Sequence, residues 1–172
     1  MTRRSAAEQV VQALTDAGLT IAIAESLTGG SLTAKLTAVP GASAVVLGGI
    51  VAYNTEIKRL LLGVDATLLA QHGAVHADVA AQMASNVRSA LAVDGRPADV
   101  GIATTGVAGP AAQDGKPVGT VFVGFAFRDD VLVTELHLTG DRAAIRKTVV
   151  SESLLQLLAI LHSAGSSQDP RE

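Results

Sequence analysis

Ser26 has the type and the surroundings of a nucleophile. It stands in the run Ala24–Gly30, directly after an apolar segment, Thr20–Ala24, and directly before residues with helical spacing. A strand would therefore deliver Ser26 to the start of a helix. Free backbone N–H groups and the positive end of the helix dipole favour an anion or a developing oxyanion there. Ser26 is the first candidate nucleophile.

The same run supplies candidate substrate contacts at Thr28, Gly29 and Gly30. Glycines let another group approach the backbone closely, and a threonine hydroxyl can donate or accept a hydrogen bond. Glu25, directly before Ser26, could orient the site or could complement the N-terminus of the following helix.

A serine hydroxyl is a weak nucleophile and needs a partner that removes its proton. The S-x-x-K arrangement is absent, because Gly29 stands three residues after Ser26. Tyr53 and Lys58 follow a second apolar run, Ala44–Tyr53, and neighbouring strand ends open onto one crevice. A partly desolvated lysine there could act as the base. The alternatives are a capping Ser26, a solvated Lys58, and a Tyr53 that only closes the end of its strand.

A second polar cluster, Thr104–Pro110, also follows a predicted strand. Its glycines expose N–H groups that could hold a phosphate or an oxyanion, although it is neither a P-loop nor a dinucleotide signature. Lys116 could close over an anion or could be a surface charge. Arg142 and Arg146, in the last predicted helix, could reach a phosphate or could lie on a solvated face.

Metal and thiol chemistry have little support in this sequence. There is no cysteine, which excludes disulfides, thiolate metal sites and cysteine catalysis. His72 and His76 have i, i+4 spacing, but Gly73 lies between them and no third ligand stands nearby. We therefore predict neither a metal site nor a cofactor.

The composition is that of a compact globular enzyme. The chain has 172 residues, 48% hydrophobic and 17% charged, with a net charge of −3 and no basic block. A nucleic-acid binder needs a basic face and aromatic platforms, and this chain has no tryptophan, one tyrosine and three phenylalanines. No signal core or run of 18 apolar residues occurs, so we expect a cytoplasmic protein that does not bind membranes. The aliphatic content favours a homo-oligomer.

Hydrophobic periodicity predicts an α/β fold, a layered sandwich with a mixed, mostly parallel sheet covered by helices. We expect Ala44–Tyr53 to be a strand buried on both faces. A single domain should span residues 1–164, followed by a disordered tail at 165–172. The five predicted strands are Thr20–Ala24, Ala44–Tyr53, Asp99–Thr105, Val118–Phe127 and Val131–Leu138.

Taken together, these segments closely resemble the CinA C-terminal domain family, whose known activity is nicotinamide mononucleotide amidase (deamidase). The resemblance covers about residues 5–162. The motifs that carry it are Ala24–Gly30, Gly48–Gly63, His72–Val75, Thr105–Pro110, Lys116–Thr120 and Gly140–Arg142. Two departures are Leu27, where the family often has cysteine, and Asn54-Thr55-Glu56, where it usually has Ser-Asn-Glu.

The resemblance implies hydrolysis of nicotinamide mononucleotide to nicotinic acid mononucleotide and ammonia, by a stand-alone form of the domain. It assigns Ser26 as the nucleophile and Lys58 as its base, with Tyr53 beside them. It also implies that Thr105 and Gly106 bind substrate or stabilise the oxyanion, and that Arg142 contacts the phosphate. The alternatives are a nucleotide-binding regulatory domain without turnover and a structural domain that acts in an oligomer.

Overall fold

The computed structural model describes residues 4–166, which form five strands and six α-helices. Helices and strands alternate at first, three helices then precede the third strand, and the last two strands form a hairpin, so the predicted α/β class is confirmed. The strands are β1 (Ile21–Glu25), β2 (Val46–Val51), β3 (Val100–Gly106), β4 (Thr120–Phe127) and β5 (Asp130–His137). The helices are α1 (Ala6–Ala17), α2 (Ser31–Thr37), α3 (Thr55–Leu62), α4 (Ala66–His72), α5 (Ala77–Ala90) and α6 (Arg142–Ser166).

The sheet has the order β2-β1-β3-β4-β5. β1 pairs in parallel with β2 and β3, whereas β4 pairs antiparallel with β3 and β5. The expectation of a mostly parallel sheet is therefore wrong, because two of the four pairings are antiparallel. The two-residue turn between β4 and β5, with Arg128 at φ 56°, allows only an antiparallel hairpin.

The register of the parallel strands aligns their carboxyl ends. Glu25 lies opposite Val51 on one side and opposite Thr104 on the other. The residues that follow β1 and β2, together with the end of β3, therefore meet at the same edge of the sheet. This is the edge at which open α/β sheets bind ligands.

The second strand differs from its prediction. β2 starts at Val46, because Ala42–Ala44 form a 3₁₀ turn, and it ends at Val51, whose side chain is 47% exposed. The apolar run at residues 44–53 predicted burial on both faces, but β2 is an edge strand and no residue in it is fully buried. Hydropathy does not reveal the position of a strand in its sheet.

The two faces of the sheet carry side chains of different size. Ile21, Ile23 and Ile102 face α1, α2 and α6, whereas alanines and glycines face α5. At Gly101 a Cβ would lie 1.9 Å from the carbonyl oxygen of Ala84 in α5. The backbone of α5 therefore rests directly on the sheet, as small residues permit.

The ends of the helices follow local capping rules. Ser5 and Glu8 form a reciprocal capping box at the start of α1, and Gly18 ends that helix in the left-handed conformation. No helix within residues 4–166 is both long enough and apolar enough to cross a membrane. α6 is described to Ser166, and the remainder of the predicted tail, residues 167–172, lies outside the described residues.

Substituting Gly101→Ala should lower the free energy of unfolding by about 3 kcal/mol, because the new methyl group would force α5 off the sheet. Urea denaturation measures this change. The matched control is Gly48→Ala, where a Cβ would meet only Leu91 at 3.5 Å, an ordinary contact. Equal midpoints for the two variants would contradict the direct backbone packing.

Candidate active site

A cavity of ≈ 330 Å³ opens at the carboxyl edge of the three parallel strands. The turn after β1, the start of α3, the loop before α5 and the loop after β3 form its wall. The residues that line it are Ser26, Leu27, Tyr53, Asn54, Thr55, Lys58, Ala74, Val75, Thr105, Gly106, Val107, Ala108, Gly109, Ala111, Gln113 and Arg142. Of the predicted site residues, Ser26, Tyr53, Lys58, Thr105, Gly106 and Arg142 belong to this wall.

Ser26 and Lys58 meet at the bottom of the cavity. The Lys58 Nζ donates to Ser26 Oγ at 3.0 Å, and the two residues are 1% and 8% exposed, respectively. Lys58 reaches this position because it shares the buried face of α3 with Leu62, four residues later. Asn54 fixes the start of α3, since its side chain accepts a hydrogen bond from the Glu56 N–H.

The Lys58 amine has only uncharged hydrogen-bond acceptors. Besides Ser26 Oγ, it donates to the carbonyl oxygens of Ala52 at 2.7 Å and Tyr53 at 3.4 Å. Burial without an anionic partner lowers the pKa of Lys58 from 10.5 to about 8. A useful fraction of the amine is therefore neutral near pH 7 and able to accept a proton, which a solvated lysine could not provide.

Tyr53 and Arg142 form the mouth of the cavity. Arg142 donates to the Tyr53 hydroxyl at 2.7 Å and to the carbonyl oxygen of Gly109 at 2.8 Å. The Tyr53 side chain is 58% exposed, and its backbone carbonyl, not its hydroxyl, contacts Lys58. Tyr53 therefore lies two residues beyond the end of β2 and lines the cavity, so it does more than close the end of its strand.

The start of α2 is occupied by Glu25 rather than open to a ligand. The fully buried Glu25 carboxylate accepts hydrogen bonds from the N–H groups of Gly30, Leu32 and Thr33, and from the Thr33 hydroxyl. Of the two roles considered for Glu25, complementing the helix N-terminus is the observed one. An oxyanion at this helix start would have to compete with that carboxylate.

Three predicted substrate contacts lie outside the cavity wall. Thr28 is fully buried and shares a 2.8 Å hydrogen bond with the hydroxyl of Thr104. Gly29 and Gly30 lie in the turn that leads to α2, with φ values of 60° and 94° that favour glycine. These three residues shape the turn behind Ser26.

Two loops that hydrogen bonds join form another part of the cavity wall. Thr105 Oγ1 donates to the Ala74 carbonyl at 2.7 Å, and Asp114 Oδ2 accepts from the Ala74 N–H at 3.1 Å. Asp114 and Gly115 both have positive φ and form a tight hairpin turn between Gln113 and Lys116. Ala74 and Gln113 line the cavity and were not predicted as site residues. The Asp114-Gly115 pair is the sequence feature that could have indicated this turn.

The other polar candidates lie elsewhere. Lys116 is not part of the cavity wall, and its backbone pairs with Gln113. The rings of His72 and His76 stack at 4.7 Å, and His76 caps α5 by accepting the N–H of Asp78. Across residues 4–166, no three His, Asp or Glu side chains are grouped so that they could hold a metal ion.

Known proteins are similar to this chain in both sequence and fold. The profile of the CinA C-terminal domain matches residues 3–161. The chain belongs to the CinA C-terminal domain family. A CinA-like protein of Frankia casuarinae is 50% identical over 145 residues, which cover 84% of this chain and 32% of that protein. The chain spans about a third of the length of the curated relatives it matches.

Solved structures of CinA proteins have the same fold. A CinA superfamily protein of Klebsiella pneumoniae gives a TM-score of 0.86 at 33% identity, covering 92% of this chain and 96% of that one. The competence/damage inducible protein CihA of Agrobacterium tumefaciens gives 0.81 at 34% identity, covering 94% and 99%. In both structures the matched domain makes up nearly the whole chain. The predicted family is therefore confirmed.

Replacing Lys58→Met should stabilise the folded protein at pH 7 by about 2 kcal/mol. The lowered pKa shows that burying the charged amine destabilises the folded protein, and the methionine variant removes this cost. The expected gain is reduced by about 1 kcal/mol, because the Ala52 carbonyl loses its hydrogen-bond donor. The unfolded chain binds the extra proton between pH 8 and 10.5. The stabilisation should therefore be complete below pH 8 and shrink as the pH rises towards 10.5.

Chemical denaturation of wild type and Lys58→Met at pH 7 and pH 10 measures this linkage. Lys147→Met, which removes an exposed lysine of α6, is the matched control and should change stability little. A destabilised Lys58→Met protein at pH 7 would mean that the buried amine contributes more in hydrogen bonds than its burial costs.

Proposed function

We propose that this chain is an amidase that hydrolyses nicotinamide mononucleotide to nicotinic acid mononucleotide and ammonia. The observation that carries the proposal is the buried Lys58 amine, 3.0 Å from Ser26 Oγ and surrounded by uncharged acceptors. A serine with an adjacent, partly neutral lysine has the two groups that acyl transfer requires, a nucleophile and its base. The family resemblance supplies the identity of the amide.

In the first half of the reaction, Ser26 Oγ attacks the carboxamide carbon while the neutral Lys58 amine takes the hydroxyl proton. The carbonyl oxygen gains the negative charge of a tetrahedral intermediate. The loop from Gly106 to Gly109 lines the cavity. Because the Val107 N–H already donates to the Thr120 carbonyl at 2.9 Å, the N–H groups of Ala108 and Gly109 are the candidate donors to that oxyanion. The C–N bond then breaks, and the Lys58 ammonium returns its proton to the leaving nitrogen as ammonia departs.

In the second half, water hydrolyses the ester formed on Ser26. Lys58, neutral again, accepts a proton from the attacking water and returns it to Ser26 Oγ when the ester bond breaks. The products are the free serine and the carboxylic acid, which ionises at neutral pH. Each proton that Lys58 accepts it also gives back, so one pair of side chains serves both steps.

The cavity is suited to a mononucleotide. Its volume of ≈ 330 Å³ lies in the range of small-molecule sites. Apolar side chains beside Ser26, including Leu27, Val75 and Val107, favour a flat aromatic ring. Arg142 at the mouth offers a guanidinium to a phosphate, for which its planar fork of donors is suited.

Ser26→Ala and Lys58→Met should each reduce ammonia release from nicotinamide mononucleotide by at least about 1,000-fold, because each removes half of the acyl-transfer pair. Release is measured with the purified chain in the presence of a chelator, and Lys147→Met serves as the control. Full activity in Ser26→Ala would remove this residue from the nucleophile's role. Thermal stabilisation by the mononucleotide without ammonia release from wild type would favour the regulatory binding domain instead.

The pH dependence of the reaction should follow Lys58. Because the base must be unprotonated, kcat/KM should rise about tenfold per unit below pH 8 and level off above it. Ammonia release at subsaturating substrate between pH 6 and pH 9.5 gives the profile. A rate that stays constant across this range, or falls, would contradict Lys58 as the base.

A further inference from the structure

Arg146 is directed at the backbone behind the nucleophile rather than at the cavity. Its Nε donates to the Leu27 carbonyl at 2.8 Å, and one terminal nitrogen donates to the Thr28 carbonyl at 3.0 Å. The same nitrogen lies 3.4 Å from Ser31 Oγ. A Cβ at Gly29 would come within 3.3 Å of this guanidinium, so the cation is packed onto the turn that follows Ser26.

These contacts fix the orientation of two successive peptide groups. A trans peptide is planar, so holding its carbonyl also sets the direction of its N–H group. Arg146 holds the peptides that join Leu27 to Thr28 and Thr28 to Gly29. Hydrogen bonds from a charged guanidinium are stronger than neutral ones, and its rigid fork loses little freedom in forming two of them.

The turn after Ser26 contains two glycines, so its backbone is flexible unless other groups bind it. Gly29 and Gly30 both adopt positive φ, and glycines have more freedom than any other residue when unrestrained. Glu25 binds the N–H groups at the far end of this turn, and Arg146 binds carbonyl groups at its near end. The buried Glu25 carboxylate therefore binds N–H groups of this turn, and the half-buried Arg146 guanidinium binds its carbonyl groups.

We propose that Arg146 is a positioning residue, which holds the turn behind Ser26 so that the serine hydroxyl stays within reach of the Lys58 amine. As a statement about catalysis, the inference rests on the proposed amidase function. Its physical content is independent of the substrate, because it concerns the reactivity of Ser26 itself. Of the two roles considered from the sequence, the solvated charge does not match these backbone contacts, and the phosphate contact stays a prediction.

The test uses a fluorophosphonate, a probe that needs only a reactive serine. Ser26 Oγ forms a bond to phosphorus, fluoride leaves, and Lys58 takes the hydroxyl proton. Intact-mass spectrometry gives the labelling rate of wild type, Arg146→Ala and Arg146→Lys, well below the melting temperature of each. Lys147→Ala, the adjacent exposed residue of α6, is the matched control.

Arg146→Ala should label at least about 10-fold more slowly than wild type, since small misplacements of a reacting group cost that much or more. Arg146→Lys, which can reach only one carbonyl well, should be intermediate. Added guanidinium ion should restore part of the Arg146→Ala rate, whereas sodium chloride at equal ionic strength should not. For the amide, kcat should fall while KM stays within about twofold.

Equal labelling rates for Arg146→Ala and Lys147→Ala would overturn the inference, even if Arg146→Ala melts at a lower temperature, because that pattern describes a purely structural residue. A raised KM with unchanged kcat would also overturn it and would make Arg146 a substrate contact. Wild type that is labelled but releases no ammonia would defeat the proposed substrate only. Wild type that no phosphonate labels would defeat both proposals.

Discussion

The site depends on one buried cation without a counter-ion. Lys58 is withdrawn from water, yet its three acceptors are a hydroxyl and two carbonyl groups. Had a carboxylate been its partner, the ion pair would have held the pKa high and the amine would have stayed protonated. The sequence around Lys58 supplies no such partner within reach, so desolvation alone sets the direction of the shift. In the proposed reaction, the ability of Lys58 to activate Ser26 follows from these neighbours.

The ends of the parallel strands hold Lys58 in its buried position. β1, β2 and β3 end side by side, and the carbonyl of Glu25 accepts the N–H of Ala52, whose own carbonyl accepts the Lys58 amine. Ser26 and Lys58 are thus connected through the main chain as well as directly. The small residues beneath α5 let that helix pack directly on the sheet and so close one side of it.

Much of this arrangement could be predicted from the sequence. Apolar runs identified the five strands, and the rule that parallel strand ends share an edge brought Ser26 and Lys58 to one crevice. Lys58 also stands four residues before Leu62, the spacing of a buried helix face. The edge position of β2 could not be predicted, because its apolar residues look like those of a central strand. The antiparallel pairing of β3 with β4 could not be predicted either, because the loop of residues 107–119 between them is long enough for either direction.

Arg142 and Arg146 show most clearly which features of the site cannot be predicted from the sequence. They are one helical turn apart, of the same type, and equally able to bind a phosphate. In the structure, Arg142 holds the cavity mouth, whereas Arg146 holds the carbonyls of Leu27 and Thr28. Every residue has a backbone carbonyl, so the sequence does not indicate which carbonyl an arginine will bind. A side-chain partner such as Tyr53 can be recognised by its residue type. Residues that act on the main chain near a candidate nucleophile are therefore found only when the fold is known.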